Sequence, residues 1–258
     1  MTCQPDFKIE GSRTDETILN FFKRSMLDVR SIILLSPIFL LYAAFSGYFA
    51  GWLRLRKGIR TPYTRKIFHF TIFTMAAILQ LTGGFATVVL FGSIVSLVVL
   101  YACFRGTGFG FYEAMARLKD EPHRTLFIII PLVCTALGGV VSNLLFTKFA
   151  PIGYIVAGWG DAVGEPVGTR WGRHWYRVPS LGGVKATRSL EGSLAVCFMG
   201  IFVAFWGLLY MGFIPLHALQ VALFCGIVGA VVEAFSNHGL DNFTIQVAVT
   251  ATAYFLMI

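Results

Sequence analysis

Long apolar runs constrain this chain more than any other feature. They fall at roughly 31–53, 67–83, 84–104, 125–147, 149–165, 190–213, 216–234 and 242–258. Each approaches the ~20 apolar residues that carry a helix across a bilayer. In hydrocarbon every backbone amide must be satisfied within the protein, so such runs fold as helices. The expected class is therefore all-α: a polytopic integral membrane protein of about eight transmembrane helices. Composition agrees, with 56% apolar and only 13% charged residues among 258, about half the charge of a soluble domain. A soluble globular enzyme, a disordered chain and a disulfide scaffold are excluded. The five cysteines are odd in number, and four lie inside apolar runs with no metal-ligand spacing.

Gly83-Gly84 and Pro215 mark tight turns, which makes hairpins of spans two/three and six/seven. Upstream, Ile18, Leu19, Phe22, Met26 and Val29 recur at helical spacing between Asp15 and Arg30, with charges on the opposite face. This pattern predicts an amphipathic helix lying in the membrane interface. The chain thus divides into a tail with interfacial helix, 1–30, and a single membrane-embedded domain, 31–258. No signal peptide is read at the start.

Counting Lys and Arg by loop orients the spans. Arg54, Arg56, Lys57, Arg60, Arg65 and Lys66 follow span one; Arg105, Arg117, Lys119 and Arg124 follow span three. Arg170, Arg173, Arg177, Lys185 and Arg188 follow span five. The positive-inside tendency puts these loops, and that at 235–241, in the cytoplasm. The acids beyond residue 125 are Asp161, Glu165, Glu191, Glu233 and Asp241. Each lies inside a span or at its edge, and all fall on that same side. Ionisable groups at membrane depth are costly, hence candidates for function.

The densest segment runs from Gly158 to Gly172. Asp161 and Glu165 are four apart, on one helical face, and such a carboxylate pair suits Mg²⁺. Gly160, Gly164, Gly168 and Gly172 repeat every four residues. They read either as a small-residue packing face or as bare backbone that lets a phosphate approach. Pro166 should break or kink the helix near its end. Ser189 is placed to cap the helix that opens Leu190-Glu191-Gly192-Ser193, and a helix N-terminus favours an anion. Arg65-Lys66-x-x-His69 starts span two. Asp241-Asn242 starts span eight, where Asp241 could serve simply as an N-cap.

Taken in order, Arg65-Lys66-x-x-His69, Gly160-Asp161 with Gly168 and Gly172, Arg188-Ser-x-Glu191-Gly192-Ser193, and Glu233 followed by Asp241-Asn242 resemble the CTP-dependent polyprenol kinase family. That family includes dolichol, phytol and diacylglycerol kinases and shares a superfamily with the phosphatidate cytidylyltransferases. Two positions depart from its pattern: Arg188 stands where Lys is common, with Lys185 nearby, and Gln246 where Pro is usual.

The resemblance implies transfer of the γ-phosphoryl group of CTP to the hydroxyl of an isoprenoid alcohol or diacylglycerol. Asp161, with Glu165 or Asp241, would hold Mg²⁺; one carboxylate would take the hydroxyl proton. Lys185 and Arg188 would neutralise the transferring group, with Glu191 in the catalytic set. Arg65, Lys66, His69, Gly160, Gly164, Gly168, Ser189, Gly192, Ser193 and Asn242 would bind the nucleotide phosphates. The expected partners are the lipid alcohol, the nucleoside triphosphate and membrane lipids, with no nucleic acid. The host would be a cell inner membrane, or an organelle membrane in a eukaryote, with the site facing the cytoplasm. Two rival readings are lipid cytidylylation and a non-catalytic transporter or lipid-binding protein. The absence of the Lys-Arg-x4-Lys-Asp block weighs against the first, and the lack of an internal inverted repeat against the second.

Overall fold

A computed structural model of the chain describes Lys23 and residues 26–179, 186–237 and 239–258. The expected interfacial helix lies largely outside the described residues, and Lys185 lies outside them altogether.

Helix α1 (Val29–Arg56) is capped by Asp28, whose side chain accepts from the Ser31 amide at 3.2 Å. Arg54 and Arg56 in its last turn complement the helix dipole. Small residues line its buried face, and Gly51 lies so close to Gly110 that a Cβ would meet its backbone at 2.7 Å. This is how α1 seats the short helix α3 (Gly110–Met115).

Between them runs α2 (Thr61–Arg105), 45 residues interrupted by Gly84 at φ 74°. That conformation favours glycine, and the chain folds back there, so that Ile72 and Val95 line one cavity. Helix α4 (Leu126–Phe146) continues through a 3₁₀ turn, Thr147–Phe149, into α5 (Ala150–Trp171). Helices α6 (Leu190–Tyr210), α7 (Pro215–Phe235) and α8 (Asp241–Met257) complete the order. One core joins α1, α2 and α3 around Phe91. The other joins α5 to α8 around Val156, Leu208 and Val249.

The protein is a polytopic membrane protein, but among the described residues five helical segments, not eight, are long and apolar enough to cross a bilayer. The reason is continuity. Spans two and three lie in one segment, Thr61–Arg105, whose two helical halves meet at the non-helical Gly84, and spans four and five form one run of 46 residues. The last helix, α8, has 17 residues. Pro166 does not end α5, which continues to Trp171, and Thr169 Oγ1 donates to the Glu165 carbonyl at 2.7 Å beside it.

The loop between α5 and α6 also departs from an all-helical reading. Strands β1 (Trp175–Val178) and β2 (Ala186–Ser189) pair antiparallel, with Tyr176 opposite Arg188. Aromatic and β-branched residues such as Trp175, Tyr176, Val178 and Thr187 suit a pleated, half-buried surface. This hairpin matters because it carries Arg188.

Candidate active site

The charged groups gather at one end of the bundle around a cavity of about 270 Å³. Its wall includes Arg65 and Lys66 from the start of α2, and Asp161 and Glu165 from α5. Arg188 comes from β2, Glu233 from the end of α7, and Asp241 and Asn242 from the start of α8. Segments far apart in sequence thus meet around one cavity.

Two ion-pair systems organise the wall. In the first, Lys66 Nζ lies 2.5 Å from Asp161 Oδ2 and 3.0 Å from Glu165 Oε2. The one-turn spacing of the two acids lets a single ammonium bridge them. Arg117 closes the far side, with Nη1 3.2 Å from Glu165 Oε1 and Nε 2.8 Å from Asp120 Oδ2. His69 Nε2 sits 3.4 Å from Asp161 Oδ2. In the second system, Arg188 donates through Nε to Glu233 Oε1 and through Nη2 to Asp241 Oδ2, both at 2.8 Å. Glu233 also accepts from Ser193 Oγ at 3.3 Å, and Ser193 in turn meets the Tyr176 hydroxyl at 2.7 Å.

Arg65 lines the cavity, and its Nη1 is buried with no hydrogen-bond partner among the described residues. Burial alone would lower the Arg117 guanidinium, but the Glu165 and Asp120 carboxylates raise it above its usual value. Lys119 lies on the same loop and lines the cavity. Its pKa is held below the ordinary lysine value, first by burial and then by the neighbouring Arg117 charge.

The glycines of α5 divide between roles. Gly160 and Gly164 lie against α6, where a Cβ on Gly164 would come 2.5 Å from Val196 Cγ2. Gly164, Gly168 and Gly192 also reach the cavity, whereas Gly160 is absent from its wall. Ser189 and Ser193 line it as well, and Ser189 Oγ caps α6 by accepting from the Gly192 amide at 3.1 Å. Glu191 turns elsewhere: its carboxylate meets His174 Nδ1 at 2.7 Å outside the cavity. Asp241 is the first residue of α8, and its carboxylate is spent on Arg188. Asn242 Nδ2 donates to Thr135 Oγ1 at 2.9 Å, tying α8 to α4.

Sequence reasoning misses Arg117, Lys119, Asp120 and Tyr176. Arg117-x-x-Asp120 is an i,i+3 opposite-charge pair in a polar loop, a weak signal that topology counting absorbs. Tyr176 carries no signal without its strand partner Arg188.

Among the described residues no cluster of three or more His, Cys, Asp or Glu side chains forms a ready metal site. Asp161 and Glu165 nonetheless have the donor chemistry that Mg²⁺ takes when held by one or two carboxylates together with water and phosphate oxygens. Lys66 is the cation that stands between them here.

Comparison with known proteins gives two relatives. The chain is 35% identical to the phytol kinase of Synechocystis sp. over 106 residues, 41% of this chain and 43% of that protein. It is 28% identical to the CTP-dependent diacylglycerol kinase 1 of Schizosaccharomyces pombe over 127 residues, 46% of this chain and 56% of that protein. The chain thus spans about half the length of the relatives it matches. No family model and no solved structure matches it. At this moderate identity the similarity suggests membership among the CTP-dependent lipid kinases.

Proposed function

We propose that the protein is a membrane lipid-alcohol kinase that transfers the γ-phosphoryl group of CTP to the hydroxyl of an isoprenoid alcohol or diacylglycerol. The observation that carries this reading is a cavity where Lys66 bridges Asp161 and Glu165 while Arg65, Lys119 and Arg188 face the same space. Phosphoryl transfer needs positioning and charge compensation more than covalent chemistry.

In this mechanism the nucleotide phosphates lie among Arg65, Lys66, Lys119 and Arg188. The unpartnered Arg65 Nη1 donates to a phosphate oxygen, and the Gly164, Gly168 and Gly192 backbone lets the phosphates come close. Ser189, Ser193 and Asn242 shape the same wall. Lys185, next to the hairpin in sequence, adds a further ammonium. Asp161 and Glu165 would hold Mg²⁺, which when bound neutralises phosphate charge. The alcohol oxygen attacks the γ-phosphorus, its proton passes to Asp161, and the bond to the departing CDP breaks. His69, whose buried Nε2 meets no hydrogen-bond partner among the described residues, joins the groups that bind the phosphates. Glu191 acts as a positioning residue, fixing through His174 the hairpin that holds Arg188. In this reading the end of the bundle that carries the basic loops faces the cytoplasm, as the positive-inside tendency supports.

The test uses purified protein, Mg²⁺ and CTP labelled on the γ-phosphate, with a panel of lipid alcohols. Label should move into the lipid with release of CDP. Label left in pyrophosphate, with cytidine on the lipid, would replace this reading by cytidylylation.

A further inference from the structure

The charged cavity does not end at its carboxylates. It shares Arg65 and Asn242 with a narrow neck of about 90 Å³, where His69, Phe73 and Thr135 also stand. That neck shares Ile72, Phe73, Val95, Leu132 and Thr135 with an apolar cavity of about 240 Å³. The three follow one another down the seam between α2 and α4, two helices that pack loosely. From Ile128 to Val140 on α4 the apolar part runs for ~18 Å at 1.5 Å per residue. Ser93 and Val89 on one wall and Ala136 and Val140 on the other are exposed, so the seam opens sideways toward lipid.

The inner end is polar. Tyr154 lines the cavity and its hydroxyl accepts from Asn143 Nδ2 at 2.5 Å, and Asn143 Oδ1 accepts from Gln80 at 2.8 Å. A hydrocarbon tail gains nothing by entering that cluster. A second apolar groove of about 590 Å³ lies between α1, α2 and α3, but shares no lining residue with the charged cavity.

From this arrangement we infer that the lipid substrate is a single-chain alcohol, whose one tail enters between α2 and α4 and stops at Tyr154, rather than a two-tailed diacylglycerol. This rests on the kinase reading for its headgroup and on the seam alone for its tail. One neck admits one chain. A diacylglycerol branches one carbon from its hydroxyl, so both of its tails would have to pass the neck, none of whose lining residues is exposed, and a packed pocket already discriminates a single methylene by ~10-fold or more. Gly92 offers a direct probe, because it lines the apolar cavity and a Cβ built there meets nothing within 4 Å. The Cβ of Gly92→Leu therefore starts from open space, and its side chain should narrow the seam.

The experiment photolyses hexadecanol bearing a diazirine at its tail end with the full chain in lipid nanodiscs, followed by peptide mapping. Label is expected within residues 85–96 and 132–140, and Gly92→Leu should cut it severalfold. Ala136→Phe, which narrows the opposite wall, should do the same. Label concentrated on α1 and α3, or spread over the lipid-facing sides of α6 and α7, would overturn the inference. So would label that neither variant changes. In the kinase assay, single-chain prenols should exceed diacylglycerol in kcat/KM by more than ~10-fold. Equal rates would keep the kinase and reject the single-tail seam. Labelling in the seam with no phosphoryl transfer to any alcohol would reject the kinase and keep the seam.

Discussion

Lys66 and Asp161, on different helices and almost fully buried, meet at 2.5 Å, and the same ammonium reaches Glu165 at 3.0 Å. Neither partner is tolerable at that depth alone, since an uncompensated buried charge is destabilising. The pair therefore fixes how α2 docks on α5 at the mouth of the cavity.

Asp161→Asn keeps the side-chain shape and removes the charge. Turnover should fall by ~10²–10³-fold at saturating Mg²⁺ and CTP. Stability in detergent should also fall, because Lys66 keeps only Glu165. Steady-state kinetics and thermal unfolding check the two effects separately. Near-normal turnover would remove Asp161 from the chemistry.

Arg188→Lys is not conservative here. The guanidinium serves Glu233 through Nε and Asp241 through Nη2, a fork that an ammonium does not reproduce. The variant should lose ~10-fold or more in kcat/KM for CTP and unfold at lower temperature. Wild-type kinetics would show that the fork is dispensable.

The pH profile should carry the mark of Lys119. Its pKa lies below the ordinary 10.5 because of burial first and the Arg117 charge second. It is charged below its own pKa and neutral above, so phosphate affinity fades as pH rises. The kcat/KM for CTP should therefore decline at a lower alkaline pH than a free lysine would produce, since this ratio reports the free enzyme. Lys119→Met should lower the plateau and remove that limb. An unchanged alkaline limb in Lys119→Met would assign it to another group.

Glu113 is the acid-side counterpart. Burial would raise it, but the Gly108 amide at 3.1 Å and the Arg124 guanidinium at 2.9 Å lower it below 4.5. A lowered carboxyl pKa stabilises the fold above the unfolded value and loses that contribution as pH falls through the folded one. Thermal stability should thus drop below about pH 4.5, and less steeply in Glu113→Gln. Parallel melting curves for the two proteins across that range would contradict this.

Gly164→Ala separates packing from phosphate approach. Its Cβ would meet Val196 Cγ2 at 2.5 Å, and overpacking of this kind costs about 1–3 kcal/mol. Val196→Ala in the same chain should restore most of the melting temperature. If the double variant regains stability but binds CTP poorly, Gly164 also serves the phosphates.

Hydropathy is a local property, so the sequence by itself determined that the chain lives in a bilayer. It also put the acids Asp161, Glu165, Glu233 and Asp241 toward one side of the membrane, because helix rise converts position into depth. Ser189 as a cap followed from nearest-neighbour chemistry in the same way. The turn at Gly83-Gly84 was legible from its glycines, and the chain folds back there at Gly84; the helical link of spans four and five through Thr147–Phe149 was not, because no residue there changes the hydropathy sharply. Tertiary structure alone decided the partnerships: Lys66 with Asp161, Arg117 with Glu165, Arg188 with Asp241, and Glu191 turned away to His174. It also raised the β-hairpin and opened the seam between α2 and α4. Ion pairs and cavities are set by which faces of distant helices dock. Here close-packed small residues such as Gly51, Gly164 and Gly226 set that docking, through contacts whose partners lie tens of residues away.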